Sequence, residues 1–319
     1  MSRIGDRGEM EAFVRAVELG SFSAAAQELS VTPSALSKLI TRLERSLKAP
    51  LLHRTTRHIS PTPEGELFLA RCRRILAELE DAEMEVTQSQ ERPRGRLRMH
   101  LGVGLATHLI GPALPVFIER YPDVQVDLWI EDRQVDMVRE NIDISIWQAV
   151  PEMTSMGTRK LFEFERVVCA SPAYLKRHGT PRTPDELRRH RCLSVSSVPN
   201  HAQWPFQAPE GKCVIDVPPF ARANNVDCVY RFALAGLGIV RLGEYVIAAA
   251  LGDGRLVKLF AERHYPEQLE ITALYSPQRL RLPRVAAMLE FLTTTFESRP
   301  WRTAKKTRMR YSSSKSTEE

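Results

Sequence analysis

The residues with the clearest chemistry run from Thr32 to Arg57. Thr32, Pro33, Ser34, Ser37, Lys38, Thr41 and Arg42 recur at helical steps, which gathers short hydroxyls and cations on one side of a helix. Such groups suit base edges and phosphates in a DNA major groove. Arg54 and Arg57 follow in the basic turn His53-Arg54-Thr55-Thr56-Arg57-His58. From Lys38 to His58 six cations, Lys38, Arg42, Arg45, Lys48, Arg54 and Arg57, face one carboxylate, Glu44. That charge is the footprint of a polyanion partner. A solvated basic hairpin would show the same charge, so the decision rests on the elements that carry it.

Elsewhere the sequence offers little chemistry. Gly102-Val103-Gly104-Leu105-Ala106-Thr107 lacks the lysine and spacing of a phosphate loop. The eight histidines show no paired metal spacing; His100 and His108 only bracket one strand exit. The five cysteines are odd in number and form no CxxC, so buried inert thiols are expected rather than a Cys192–Cys213 redox pair. The expectation is no enzyme, no catalytic set, no metal and no cofactor. The tail from Arg299 holds seven cations against two carboxylates, most of the formal net charge of +6. No run of about 18 apolar residues predicts a membrane span, and Met1–Met10 lacks a secretory core. The reading is cytoplasmic, with no membrane partner.

Positioning the hydroxyls and cations takes three helices. Glu9–Leu19 is amphipathic through Met10, Phe13, Val14 and Val17. Ser23 is expected to cap a short helix, Ala24–Leu29, and Ser30-Val31-Thr32 makes the break. Thr32 then caps a helix from Pro33 to about Leu47, with Pro33 where a missing N–H costs nothing. Its apolar positions Leu36, Ile40, Leu43 and Leu47 turn the polar side outward. Pro50-Leu51-Leu52 and Ile59 bound the basic turn as a wing. Thr62-Pro63 opens a long helix to about Gln90, in which Phe68, Cys72, Ile75, Leu79, Ala82 and Val86 step by 4 and 3. That is a heptad seam, read as a dimer contact. Glu91-Arg92-Pro93-Arg94-Gly95 reads as a hinge. Beyond it strands and helices alternate, as parallel crossovers require.

FVRAVELGSFSAAAQELSVTPSALSKLITRLERSLKAPLLHRTTRHISPTPEG resembles the winged helix-turn-helix of LysR-type transcriptional regulators. LGVGLATHLIGPALPVFIERYPDVQVDLWIEDRQVDMVRENIDISI and GLGIVRLGEYVIAAALGDGRLVKLF resemble their regulatory domain. The fold class implied is multidomain, α+β and α/β: a winged helix-turn-helix over 1–63, a dimerising linker helix over 64–92 and a regulatory domain over 93–298. The last resembles two-lobed periplasmic binding proteins, with lobe one about 96–168 and 270–298 and lobe two about 169–269; 299–319 is a basic disordered tail. The resemblance implies a homodimer or homotetramer on double-stranded operator DNA, a small-molecule effector, and RNA polymerase as a candidate further partner. The rival reading is a solute-binding or enzymatic α/β protein with an unrelated helical module.

Open α/β sheets bind ligands beyond the carboxyl ends of their strands. On the expected fold that places Leu105, Ala106, Thr107 and His108 after the first strand, Asp132 and Arg133 after the second, and Trp147 and Gln148 after the third. Ser196, Ser197 and Asn225 would face them from the second lobe, and Thr107 would cap a helix toward the ligand. Many relatives have Asp-x-x-x-Arg where this chain has Asp143-Ile144-Ser145-Ile146-Trp147; the missing arginine weakens an anionic ligand and offers Trp147 to an aromatic one.

Overall fold

The computed structural model describes residues 6–54, 59–86, 92–148, 155–198, 200–209 and 211–303. The first unit begins with α1 (Arg7–Leu19), started by a capping box between Asp6 and Glu9 and stopped by Gly20 at φ 59°. α2 spans Phe22–Glu28 and is capped by Ser21, whose Oγ accepts the Ala24 N–H at 3.3 Å. The expected start at Ser23 is two residues late, because Phe22 already enters the helix and packs on the core. Ser30, left-handed at φ 54°, makes the tight turn. α3 (Pro33–Leu47) starts as the sequence predicts: Thr32 Oγ1 accepts the Ala35 N–H at 3.2 Å and Pro33 opens the helix.

Leu36, Ile40 and Leu43 of α3 are fully buried with Phe13, Ala12 and Ala16 of α1. Leu36, Ile40 and Leu43 each contribute about 1.5–3 kcal/mol of burial. The buried row is what holds the polar row outward. Glu44 Oε1 accepts the Leu51 and Leu52 N–H groups at 2.9 and 3.2 Å. It thereby anchors β1 (Leu52–Arg54), which pairs antiparallel with β2 (Ile59–Pro61). α4 (Pro63–Val86) follows, with Thr62 accepting the Gly65 N–H at 2.9 Å and donating to the Pro50 carbonyl at 2.8 Å. A Cβ on Gly65 would lie 2.1 Å from the Leu51 carbonyl oxygen, so only glycine permits this junction.

The second unit holds two five-stranded sheets. β3 (Gly95–Leu101), β4 (Val124–Ile130), β5 (Ile144–Gln148) and β6 (Gly157–Phe164) belong to the first, completed by β14 (Leu269–Tyr275) in the order β4-β3-β5-β14-β6. β7 (Arg166–Ala170), β8 (Cys192–Val195), β11 (Pro219–Ala223), β12 (Ile239–Gly243) and β13 (Val257–Lys258) form the second, ordered β11-β8-β12-β7-β13. Between them in sequence, β9 (Gln203–Ala208) and β10 (Gly211–Asp216) make a separate hairpin. In each five-stranded sheet four strands run the same way and one runs against them, β14 in the first and β7 in the second. The chain leaves the first sheet at Glu165 and returns with β14, so two lobes share two crossings.

After β3 the helix begins at Val103, four residues before Thr107. It runs through α5 (Val103–Leu105), a π-turn (Ala106–Ile110) and α6 (Gly111–Arg120). In the wide turn the Gly111 N–H donates to the Ala106 carbonyl, just ahead of Pro112 and Pro115, which lack N–H groups to continue the ladder. No helix forms over Asp132–Glu140, where bends and turns lie instead. α7 (Pro172–His178), α8 (Val226–Leu234), α9 (Glu244–Gly252), α10 (Pro283–Glu297) and a short α11 (Pro300–Thr303) complete the unit. In α11, Trp301 packs on Phe162 at 4.8 Å and Arg302 bonds Glu244 at 2.7 Å.

Candidate functional site

On α3, Thr32, Pro33, Ser34 and Lys38 are exposed and Ser37 and Thr41 half-buried on the same side. Thr32 Oγ1 and Ser34 Oγ lie 3.1 Å apart. Lys38 has no carboxylate partner among the described residues, so its charge stands free for a phosphate or base. Arg42 differs. Its guanidinium bonds Glu9 and lies 3.4 Å from Asp6, so it braces α3 to the start of α1. The sequence shows its charge but not the α1 carboxylates that helix packing brings to it. Arg57 and the rest of the wing tip, together with the Arg54 side chain, lie outside the described residues.

The heptad residues of α4 divide. Cys72 is fully buried, and Phe68 and Ile75 pack on the same core; Phe68 meets Phe13 at 5.9 Å. Cys72 thus faces the core of its own chain, not a partner, and burial pushes its thiol up to about 12. Leu79 and Ala82 are exposed, and the Val86 side chain lies outside the described residues.

The second unit has a cleft between its lobes. Gly102, Gly104 and Leu105 line it after β3, Asp132 after β4, and Trp147 and Gln148 as the last residues of β5. From the second lobe come Ser197 and His201 after β8, Gly243 at the end of β12 and Tyr245 just after it, and Val226 at the start of α8. Phe164 and Arg166 enter from the crossing. The strand-end rule therefore brings Leu105, Asp132, Trp147, Gln148 and Ser197 together.

It does not bring the others. Thr107 is exposed inside the π-turn, and the helix start it was expected to cap belongs to Asp132, whose Oδ1 accepts the Val103 N–H at 3.0 Å. Ala106 is buried in the first lobe's core. His108 pairs with Asp227 at 3.3 Å and Arg133 with Glu131. Ser196 is exposed beside the cleft and Asn225 caps α8 through the Cys228 N–H at 3.0 Å.

The electrostatics of the cleft come from residues the sequence reading passed over. Arg166 is half-buried; burial, then the nearby Arg241 charge, lower it to about 10. His201 sits under the wall, its Nδ1 accepting the Val195 N–H at 3.2 Å. Burial first, then Arg166 and Arg241, drive it down to about 3, so it is neutral. Burial raises Asp132, partly countered by the Val103 N–H. Two signals could have found these groups: Arg166 is a charge inside an apolar strand run, and Tyr245 follows a strand end. Of the other singled-out groups, His100 bonds Ser145 at 2.9 Å, Cys192 is buried, and Cys213 is exposed and forms no disulfide. Among the described residues no cluster of three or more His, Cys, Asp or Glu could hold a metal.

Two family patterns account for both units. Residues 8–66 match the bacterial regulatory helix-turn-helix of the lysR family, and residues 90–297 match the LysR substrate binding domain. The chain belongs to the LysR family of transcriptional regulators. As a LysR-type regulator it binds DNA through the helix-turn-helix and carries an effector-binding C-terminal domain. It is 32% identical over 284 residues to the transcriptional regulator CrgA of Neisseria meningitidis, covering 89% of this chain and 95% of the relative. The activator TtdR of Escherichia coli is 31% identical over 294 residues, covering 91% and 94%. The solved structure of the Neisseria CrgA, a LysR-type regulator, overlays with a TM-score of 0.61 at 32% identity, covering 90% and 97%. That of AphB, a Vibrio cholerae virulence activator, shares the fold at 24% identity and a TM-score of 0.60, covering 90% and 98%. The rival reading, an unrelated helical module on a solute-binding protein, falls with the helix-turn-helix match. LysR regulators bind operator DNA and small effectors and often form dimers or tetramers. Among the described residues no helix is long and apolar enough to cross a membrane.

Proposed function

We propose that this LysR-type regulator acts in the cytoplasm, pairing two copies along the α4 face that carries Leu79 and Ala82. The pair, or a tetramer built from it, presents one α3 per half-site of an interrupted palindrome. Thr32, Pro33, Ser34, Ser37, Lys38 and Thr41 meet bases and phosphates, Arg54 and Arg57 meet the backbone, and Arg42 braces the helix. A small effector in the cleft favours one arrangement of the lobes and so changes transcription, with RNA polymerase as the further partner. No reaction is catalysed. The observation that carries this reading is the exposed hydroxyl face of α3, on which Lys38 has no carboxylate partner among the described residues.

The test is selection of operator DNA from a random pool by the full chain, followed by shift assays. Retained sequences should share two half-sites about 10 base pairs apart or a multiple of it. Lys38→Ala should relax one base position. Retention of DNA without shared sequence, or an unchanged preference in Lys38→Ala, would sink the α3 assignment.

A further inference from the structure

The cleft holds a cation with no carboxylate partner among the described residues. Arg166 lines it half-buried. The charges that act on it are Arg241, which repels it, and Glu267, which favours it. Glu267 is already engaged by the buried Arg241 and by Lys212 at 3.2 Å. The side-chain partner of Arg166 in the cleft is a neutral oxygen, Gln148 Oε1, at a long 3.4 Å. A guanidinium out of water with no carboxylate is costly, and its parallel N–H groups match a carboxylate in bidentate fashion. Gln148, accepting with its oxygen, has its amide N–H groups left to donate to the same anion.

The other end of the cleft has the opposite character. Asp132 Oδ1 accepts the Val103 N–H, which leaves its second oxygen to accept from a guest. It also caps the helix that would otherwise draw an anion there. Tyr245 feels both ends: burial raises its phenol, Arg166 lowers it and Asp132 raises it. The walls are aromatic. Trp147 stacks on His100 at 5.7 Å and 21°, and Tyr245 meets Phe164 edge-on at 5.1 Å. His201 is neutral and adds no charge.

We propose that the effector is a planar aromatic monocarboxylate with a hydrogen-bond donor remote from the acid. The carboxylate sits on Arg166 and Gln148, the ring against Trp147 and Tyr245, and the donor on Asp132. This rests on the reading of the cleft as the effector site. The arginine missing at position 147 is thereby replaced in function from the crossing strand, and the tryptophan standing there supplies the ring face. A second carboxylate would meet Asp132, so dicarboxylates are excluded.

The experiment is calorimetric titration of the full-length protein with para-hydroxybenzoate, para-hydroxybenzamide and terephthalate, with melting curves for every variant. The hydroxy acid should bind, and the amide and the dicarboxylate should each be weaker by about 30-fold or more. Arg166→Gln should weaken the acid by about as much while the melting curve holds. Asp132→Asn should narrow the gap to terephthalate. An amide that binds as well as the acid, and is lost in Trp147→Ala, keeps the cleft as the site and overturns the monocarboxylate. No binding of the acid at millimolar concentration also overturns the ligand class. An acid that binds wild type, Arg166→Gln and Trp147→Ala alike overturns the cleft reading itself.

Discussion

The α3 face and the cleft differ in how many segments build them. Thr32 to Arg42 is one unbroken stretch, and the helix sets its spacing. The cleft draws on the ends of β3, β4, β5, β8 and β12 and on the crossing at Phe164 and Arg166. A substitution on α3 acts where it stands. A substitution in the cleft acts through whatever holds the lobes around it. Even so, the two regions share one device: an arginine placed by packing. Arg42 is consumed by α1 carboxylates, whereas Arg166 has no carboxylate partner among the described residues.

The largest effect expected from breaking the contiguous region lies in its pairing helix. Leu79→Asp should leave the helix-turn-helix folded, since Leu79 is 40% exposed and lies outside that core. Sedimentation should show separated copies, and operator affinity should fall about 100-fold or more as half-site avidity is lost. A dimer that survives the change with normal DNA binding would refute the pairing face.

Gly65→Ala comes next. The new Cβ would press on the Leu51 carbonyl oxygen, and the joint between wing and α4 must shift. We expect a loss of about 2–3 kcal/mol in urea unfolding of the head, with the cleft's ligand titration unchanged. An unchanged midpoint would mean that the joint yields without strain.

Lys38→Ala and Arg42→Ala sharpen the comparison within α3 itself. Lys38→Ala should cost about 1–3 kcal/mol of operator binding and relax specificity. Arg42→Ala should cost less in binding but lower head stability by about 1 kcal/mol, since it leaves the half-engaged Glu9 without its cation. Equal binding losses with unchanged stability would return Arg42 to the DNA face.

The smallest effect is a pH slope in the second lobe. His201 is about 3 when folded against 6.5 unfolded, and His264 about 4; burial is the first cause for each. Both are held neutral, so the unfolded chain binds more protons below its own pKa. Stability is therefore full above about pH 6.5 and falls as pH drops, by at most about 1.4 kcal/mol per pH unit for each histidine. His201→Gln should flatten that slope in melts between about pH 6.5 and about pH 5. A slope unchanged from wild type would show that His201 is not the group being protonated.

The head was legible because its signals are local. Thr32-Pro33 starts a helix wherever it occurs, and Leu36, Ile40 and Leu43 at helical steps decide which side faces out. Where the reading slipped, as at Ser23 for Ser21, the error was two residues within one element. The cleft was legible only as a rule about strand ends. The rule found Asp132, Trp147 and Gln148 but misplaced Thr107, because Pro112 and the turn it forces lie inside a helix that had already begun at Val103.

By itself, then, the sequence determined the family, most of the element types, the outward polar face of α3 and the two-lobed plan. These depend on neighbours within a few residues, whose geometry the backbone dictates. Only the tertiary structure decided which charges stay free. Arg42 and Glu9 are 33 residues apart in the chain and bonded in the fold. Arg166 faces Gln148 from another strand, with Glu267 already held by Arg241. A charge is neutralised or exposed by what packs against it across long separations, and those partners are set by the docking of helices and sheets, not by the spacing of residues along the chain.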